Sequence, residues 1–289
     1  MKRNTLLAVV CVLFVLAPAF HARADFDKPV IKEWTQVEKD DKGKDVNVQY
    51  MTIDGILVHE EDPAKKPQPT VITPGTESTQ QVPGTAPSDA VVLFDGKDLA
   101  NWTSTVAGEP TKWILDNGTL SPVKGSGMIQ SKKEFGSCQL HIEWATPEKV
   151  EGDGQGRGNS GVFLMGTYEI QVLDSYGNTT YPDGQAGALY GRSAPLVNAS
   201  RKPGEWQSYD VVFHRPIFDG DKVVKRATFT IFHNGVLVQD HTELSGGTDW
   251  RGHHAISPYK AHADKGPLKL QDHGNPVRYR NVWIRELAD

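Results

Sequence analysis

From residue 90 to the C-terminus, the chain is a series of short apolar runs separated by turn residues. Val, Ile, Phe, Tyr and Trp dominate the runs, and Gly, Pro or Asn-Gly pairs interrupt them. Such runs between turn signals predict β-strands, and no long stretch keeps a helical period. We predict strands at 90–94, 112–115, 138–145, 161–165, 168–173, 206–214, 226–233, 236–239, 268–271 and 277–285.

The number of strands and the frequency of turns predict an all-β domain, a two-sheet antiparallel β-sandwich. Alternation then assigns side chains to faces. In the strand at 138–145, Leu140 and Ile142 share one face, while His141 and Glu143 share the other. We expect the apolar face to pack between the two sheets.

Polar side chains recur on the second face of other predicted strands. Glu169 and Gln171 point away from the apolar side of the strand at 168–173. Lys269, Gln271 and His273 are likewise spaced two residues apart. A polar strand face can simply be a solvated outer surface. When several strands share the feature, it also suits a sugar-binding groove, in which each hydroxyl group needs a hydrogen-bond partner.

The N-terminus has the features of an export signal. Lys2 and Arg3 precede an apolar stretch at 6–16, and Ala22-Arg23-Ala24 fits a signal-peptidase site. We therefore expect 1–24 to be a signal peptide and the protein to be exported, either to the periplasm or out of the cell. The apolar stretch is shorter than the ~20 residues that cross a bilayer, so no membrane span is expected.

Two further segments precede the sandwich. Residues 25–60 form a small extension in which apolar runs flank Asp54-Gly55, a sequence that predicts a β-hairpin. Residues 61–89 are rich in Pro and Thr, which predicts an extended, solvated linker. The sandwich domain then occupies 90–289.

Charge and cysteine content limit the possible partners. Removing Lys2, Arg3 and Arg23 with the signal leaves 28 Lys and Arg against 36 Asp and Glu, a net charge of −8. This balance argues against nucleic acid as a partner, because such binding depends on neutralising phosphates. A carbohydrate partner is compatible with it. Cys138 is the cysteine that remains after residue 24, so no internal disulfide is expected.

The glycine-rich segment 151–161 fits neither of the common phosphate-binding motifs. We interpret it as a tight loop that places Arg157 and Asn159 beside the next strand. No metal or other cofactor is predicted. Ca²⁺ stays open as an alternative, because Asp153, Asp174 and Asp183 are near loops, although they lack a recognisable ligand spacing.

Several short strings of sequence, in order and spacing, resemble the 3-keto-disaccharide hydrolase domain family. They are LFDGK at 93–97, GVF at 161–163, YEIQVLDS at 168–175, GALYG at 187–191, PGEW at 203–206, NG at 234–235 and LQDHG at 270–274. The resemblance covers about 90–287. It implies a concanavalin A-like jelly roll with a sugar-binding face, and activity on glycosides oxidised at C3.

This resemblance suggests a mechanism. A C3 ketone acidifies the C2 hydrogen, so a base can remove that proton while the C1 substituent leaves, and water can then add. Glu169, His273 or Glu143 could be the base, and Asn159, Arg157, Gln171 and Gln271 could donate hydrogen bonds to the C3 oxygen. We also expect sugar contacts at three residues of the strings: Asp174, Tyr190 and Trp206.

Two alternatives remain open from the sequence alone. The first is direct hydrolysis by two carboxylates, for which Glu143 and Glu169 are the natural pair. The second is a non-catalytic, lectin-like module, because sandwich folds of this kind also bind sugars without cleaving them.

Overall fold

The computed structural model describes residues 29–40, 42–59, 69–248 and 257–289. The chain divides into two compact units, Met1–Val71 and Ile72–Asp289. The predicted signal peptide lies outside the described residues. No helix in the described part of the chain is long and apolar enough to cross a membrane.

The first unit contains a three-stranded antiparallel sheet of β1 (Ile31–Lys39), β2 (Asp45–Ile53) and β3 (Ile56–His59). β2 and β3 form the hairpin predicted around Asp54-Gly55. Both turn residues have positive φ, 52° and 82°, as a two-residue hairpin turn of this type requires. β1 was not predicted, because its sequence mixes charged and apolar residues and most of it is exposed.

The second unit is an antiparallel β-sandwich. Its strands are β4 (Val91–Phe94), β5 (Trp102–Ser104), β6 (Ile114–Asp116), β7 (Thr119–Ser121), β8 (Ile129–Phe135), β9 (Cys138–Ala145), β10 (Ser160–Leu164), β11 (Tyr168–Val172), β12 (Gln207–His214), β13 (Ile217–Asp219), β14 (Lys222–Lys225), β15 (Thr228–His233), β16 (Val236–Glu243), β17 (Gly266–Leu270) and β18 (Arg278–Glu286).

Two sheets make up the body of the sandwich. The five-stranded sheet has the order β11-β10-β17-β8-β5. The eight-stranded sheet has the order β16-β15-β12-β9-β18-β7-β6, with β4 paired to β18. β13 and β14 form a separate two-stranded ribbon. The predicted all-β sandwich is therefore confirmed.

The hydrophobic core lies between the two sheets, as the alternation predicts. Leu140 and Ile142 of β9 and Ile170 and Val172 of β11 are fully buried in one apolar cluster. Since successive side chains alternate, the polar partners of these residues lie on the outer faces of their sheets. Two outer faces result, one on each sheet, and each carries a cavity.

The predicted linker at 61–89 needs correction in its second half. Residues 72–89, here called the strap, belong to the sandwich unit. Thr76 and Thr85 form an antiparallel bridge within the strap. Gln80 exchanges two hydrogen bonds with the main chain of Trp206, at 2.7 and 2.9 Å. Hydrogen bonds rather than apolar side chains hold the strap, so its composition resembles that of a solvated linker.

Candidate active site

A cavity of about 750 Å³ opens on the outer face of the five-stranded sheet. It brings together predicted site residues from β11, from the segments flanking β10 and β17, and from the loop after β11. These residues are Asn159, Glu169, Gln171, Tyr190, Gln271 and His273. The segment 257–262, on the chain just before β17, forms another part of its wall.

Gly161 lies on β10, between two residues that line the cavity, Gln171 and Gln271. It is paired with Gln171 of β11, and the N–H of Gln271 donates to its carbonyl at 3.0 Å. A Cβ atom at position 161 would come within 2.3 Å of Glu169 Oε1 and 2.8 Å of the Phe163 ring. The absent side chain therefore leaves the space into which the Glu169 carboxyl group extends.

Glu169 is an isolated, buried carboxyl group. It is 6% exposed, and burial raises its pKa to about 8. Within the described residues, its carboxylate oxygens accept no hydrogen bond and form no ion pair. The backbone is held instead: its N–H donates to Thr248 Oγ1 at 2.7 Å, and its carbonyl accepts from the Tyr190 N–H at 3.2 Å. A fixed carboxyl group with a pKa near neutrality is suited to proton transfer.

Two predicted hydrogen-bond donors have their N–H groups engaged within the protein. Asn159 Nδ2 donates to the Gln155 carbonyl at 2.8 Å, and Gln171 Nε2 donates to Gln155 Oε1 at 2.8 Å. Each amide nitrogen carries two N–H bonds, so the role of these two amides in polarising the C3 oxygen stays a prediction. Both residues line the cavity, but with their amide nitrogens held by Gln155.

Arg157 and Asp174 do not line this cavity. Arg157 Nε donates to Asp174 Oδ2 at 2.6 Å, and Arg157 Nη2 donates to the Tyr176 carbonyl at 2.9 Å. Both residues line a separate cleft of about 200 Å³. Their predicted roles as sugar contacts are corrected: each satisfies the other, and together they hold the glycine-rich loop against the end of β11.

Glu143 lies on the outer face of the other sheet. It is 2% exposed, accepts from Arg280 Nε at 2.6 Å and from Asn281 Nδ2 at 2.7 Å, and also accepts from the Ser78 hydroxyl. Burial alone would raise its pKa, but hydrogen bonds from His141, Ser78 and Asn281 and the charge of Arg280 lower it to about 2. Glu143 and Glu169 therefore cannot form the predicted carboxylate pair, because the sandwich core separates them.

Trp206 accompanies Glu143 rather than Glu169. The Arg280 guanidinium lies 4.2 Å from the centre of its ring, and Arg278 approaches the same ring at 5.2 Å. Together with the strap, Trp206, Glu143 and Arg280 line a second cavity of about 520 Å³. Trp206 is thus not a sugar contact of the first cavity.

The comparisons with known proteins agree with this architecture. Residues 89–285 match the family described as the 3-keto-alpha-glucoside-1,2-lyase-like domain. The chain belongs to this family. The predicted resemblance is therefore confirmed.

Named relatives of this family member include an enzyme and solved structures. The 3-keto-disaccharide hydrolase of Bacteroides thetaiotaomicron is 21% identical over 242 residues, which cover 68% of this chain and 78% of the relative. A candidate glycosyl hydrolase from Parabacteroides distasonis, known from its crystal structure, is 47% identical with a TM-score of 0.72, covering 77% of this chain and 93% of that one. A second candidate from the same organism is 25% identical with a TM-score of 0.50, covering 68% and 99%. The chain is thus a carbohydrate-active protein of the glycosyl hydrolase type.

The structure places further residues in or beside the first cavity that the sequence analysis did not identify. Tyr181 is hydrogen-bonded to Tyr190 through their hydroxyl groups at 2.8 Å. Tyr168 and His262 line the cavity and are joined at 2.7 Å between the Tyr hydroxyl and Nε2. Their aromatic side chains resemble core residues in sequence, so only the fold reveals their position.

Trp250, His253 and His254 lie outside the described residues. Within the described ranges, no group of three or more His, Cys, Asp or Glu side chains is placed to hold a metal ion.

Proposed function

We propose that this chain cleaves the glycosidic bond of 3-keto-glycosides by elimination, with Glu169 as the base. The observation that carries the proposal is the isolated Glu169 carboxyl group, whose pKa burial raises to about 8. Removal of a proton from the carbon next to a ketone needs one base and a donor to the ketone oxygen. It does not need a second carboxylate.

The proposed reaction starts at C2 of the keto sugar. Glu169 takes the C2 proton, and the electron pair of the broken C–H bond forms an enolate with the C3 carbonyl. The enolate then forms the C1–C2 double bond, as the bond from C1 to the glycosidic oxygen breaks. The leaving oxygen takes a proton. Addition of water across the double bond completes a net hydrolysis.

Donors for the two oxygen atoms are available on the wall of the cavity. His273 lines it with an exposed imidazole, and we propose it as the proton donor to the leaving oxygen. Tyr190 carries a hydroxyl group that is hydrogen-bonded to Tyr181 and whose pKa burial raises, so it stays protonated; we propose that it reorients to donate to the C3 oxygen when the sugar binds. Glu169 is the one carboxylate among the described residues that line the cavity, which disfavours the two-carboxylate route.

The decisive experiment compares a 3-keto-disaccharide with its unoxidised parent. Elimination depends on the ketone, so we expect turnover of the keto sugar and none of the parent. Equal cleavage of both sugars would refute elimination. Binding of either sugar without turnover would instead favour the lectin-like alternative.

The pH dependence of kcat/KM gives a second test. Glu169 must be ionised to act as a base, so kcat/KM for a 3-keto-glycoside should rise about tenfold per pH unit below a pH of about 8 and level off above it. The neighbouring hydroxyl groups of Tyr181 and Tyr190 have raised pKa values, so they should not titrate in this range. A rate that is flat or falling between pH 6 and 8, roughly the window below this pKa, would contradict the assignment.

A further inference from the structure

Gln155 does not line the cavity, but it contacts two residues that do, Asn159 and Gln171. It lies in the short helical turn Gly154–Gly156 of the glycine-rich loop. Its Nε2 donates to the Gly184 carbonyl at 2.8 Å and to Thr180 Oγ1 at 3.1 Å. A backbone carbonyl can only accept, so this contact fixes which end of the Gln155 amide is the nitrogen.

The fixed amide of Gln155 in turn fixes Gln171. Gln155 Oε1 must accept, and it accepts from Gln171 Nε2 at 2.8 Å. Gln171 therefore cannot rotate its amide by 180° without losing this bond. Asn159 is held mainly by the main chain: its Nδ2 donates to the Gln155 carbonyl at 2.8 Å and, over a longer distance of 3.3 Å, to Gln155 Oε1. A change of the Gln155 side chain thus removes the one contact that holds the Gln171 amide but leaves Asn159 its shorter main-chain hydrogen bond.

The amide oxygen of Gln171 has no hydrogen-bond partner within the described residues. Gln171 is 1% exposed, and a buried acceptor without a donor is unfavourable. The Oε1 atom of Gln271 is buried and unpartnered in the same way. Both residues line the cavity and flank Gly161: Gln171 is paired with it in the sheet, and the N–H of Gln271, just after β17, donates to its carbonyl at 3.0 Å. Two unpartnered acceptors that line the same cavity need a ligand that supplies donors.

We propose that Gln155 is a positioning residue that holds Gln171 as a hydrogen-bond acceptor for a sugar hydroxyl group. The cavity then selects a neutral sugar with a free hydroxyl group at the position facing Gln171. This inference rests on the proposed function for the identity of the ligand as a sugar. It goes beyond that function because it assigns a source of specificity that is independent of the ketone.

The test measures binding, which does not depend on turnover. Dissociation constants are measured by calorimetry for a 3-keto-glucoside and its 4-deoxy and 6-deoxy analogues, with wild type, Gln155→Met, Gln171→Met and the double variant. One deoxy analogue should bind wild type about 5- to 100-fold more weakly than the parent, the value of one hydrogen bond. Both single variants should lose most of this discrimination.

The double variant separates positioning from general damage. If Gln155 acts through Gln171, the double variant should discriminate no less than Gln171→Met alone. Gln155→Glu keeps an acceptor for Gln171 Nε2 but loses the donor to the Gly184 carbonyl, so it should retain more of the discrimination than Gln155→Met and less than wild type. Gln185→Met removes an amide on a neighbouring loop and should leave it unchanged. Should Gln155→Met fail to fold, Gln155→Glu and Gln171→Met still carry the test.

Several outcomes would overturn the inference. One is equal weakening of all three sugars by Gln155→Met, and another is equal binding of all three sugars by wild type. Absence of sugar binding would overturn it as well. Tight, discriminating binding without turnover would refute only the proposed catalysis, so the two failures are distinguishable.

Discussion

Glu169→Gln is expected to lower kcat on a 3-keto-glycoside by about 10²–10⁴-fold, the usual contribution of a positioned proton-transfer group. Gln keeps the size of the side chain and can still contact the sugar, so the dissociation constant should change little. The measurement is steady-state kinetics on the keto sugar, together with calorimetric binding. Glu143→Gln is the matched control, because it makes the same change on the opposite sheet.

The same substitution has a second, independent signature in stability. The folded-state pKa of Glu169 is raised from 4.5 to about 8, so the folded protein holds this proton more tightly than the unfolded chain. The free energy of unfolding should therefore fall as the pH rises from 4.5 to about 8, by up to about 1.4 kcal/mol per pH unit. Glu169→Gln should remove this fall. Near wild-type turnover by Glu169→Gln would refute the catalytic role, whatever the stability curve shows.

Strand parity was predictable from the sequence, but sheet membership was not. Alternation correctly buried Ile142 and Ile170 and turned Glu143 and Glu169 outward. A sandwich has two outward faces, one on each sheet, and the alternation within a strand does not show to which sheet the strand belongs. Only the long-range pairing of β9 with β12 and of β10 with β17 separates the two carboxylates. Such pairing depends on contacts between residues far apart in the chain, which a local pattern does not contain.

Polar networks were the second kind of feature that the sequence concealed. The strap has the composition of a linker, and Gln155 lies in a loop that composition marks only as a tight turn. Both are held by hydrogen bonds whose partners lie elsewhere in the chain. Hydrophobic periodicity identifies apolar burial, so it gives no signal for segments that are fixed by amide and carbonyl groups.

Glu143→Gln should destabilise the fold by about 3–5 kcal/mol, because it leaves the buried Arg280 guanidinium without its carboxylate. Arg280 is 5% exposed, and its other hydrogen bonds go to main-chain carbonyls of the strap, at Thr79 and Gln80. An amide cannot neutralise its charge. A loss of this size corresponds to a fall in Tm of about 10 °C in a domain of this length.

The measurement for Glu143→Gln is urea and thermal unfolding, with Glu134→Gln as the control. Glu134 is exposed on β8, so its replacement should change stability by less than about 0.5 kcal/mol. Below the unfolding transition, Glu143→Gln should keep kcat within a few-fold of wild type, since Glu143 does not line the first cavity. A large loss of kcat with unchanged stability would instead place Glu143 in the chemistry and contradict the separation of the two faces.

The pH dependence of unfolding identifies the Glu143 network specifically. The pKa of Glu143 is lowered to about 2 in the folded state, so its contribution to stability is complete above 4.5 and is lost as the pH falls towards 2. For His141, burial alone would lower the pKa, but hydrogen bonds to Asp210 and Glu143 raise it to about 9. The stability that His141 contributes is therefore complete below 6.5 and is lost as the pH rises through 9. Glu143→Gln should reduce the loss on the acid side by the share of Glu143 and, by removing one of the two carboxylate partners of His141, reduce the loss on the alkaline side. An unchanged acid limb in the variant would show that other carboxyl groups dominate it and would refute the assigned role of the Glu143–Arg280 pair.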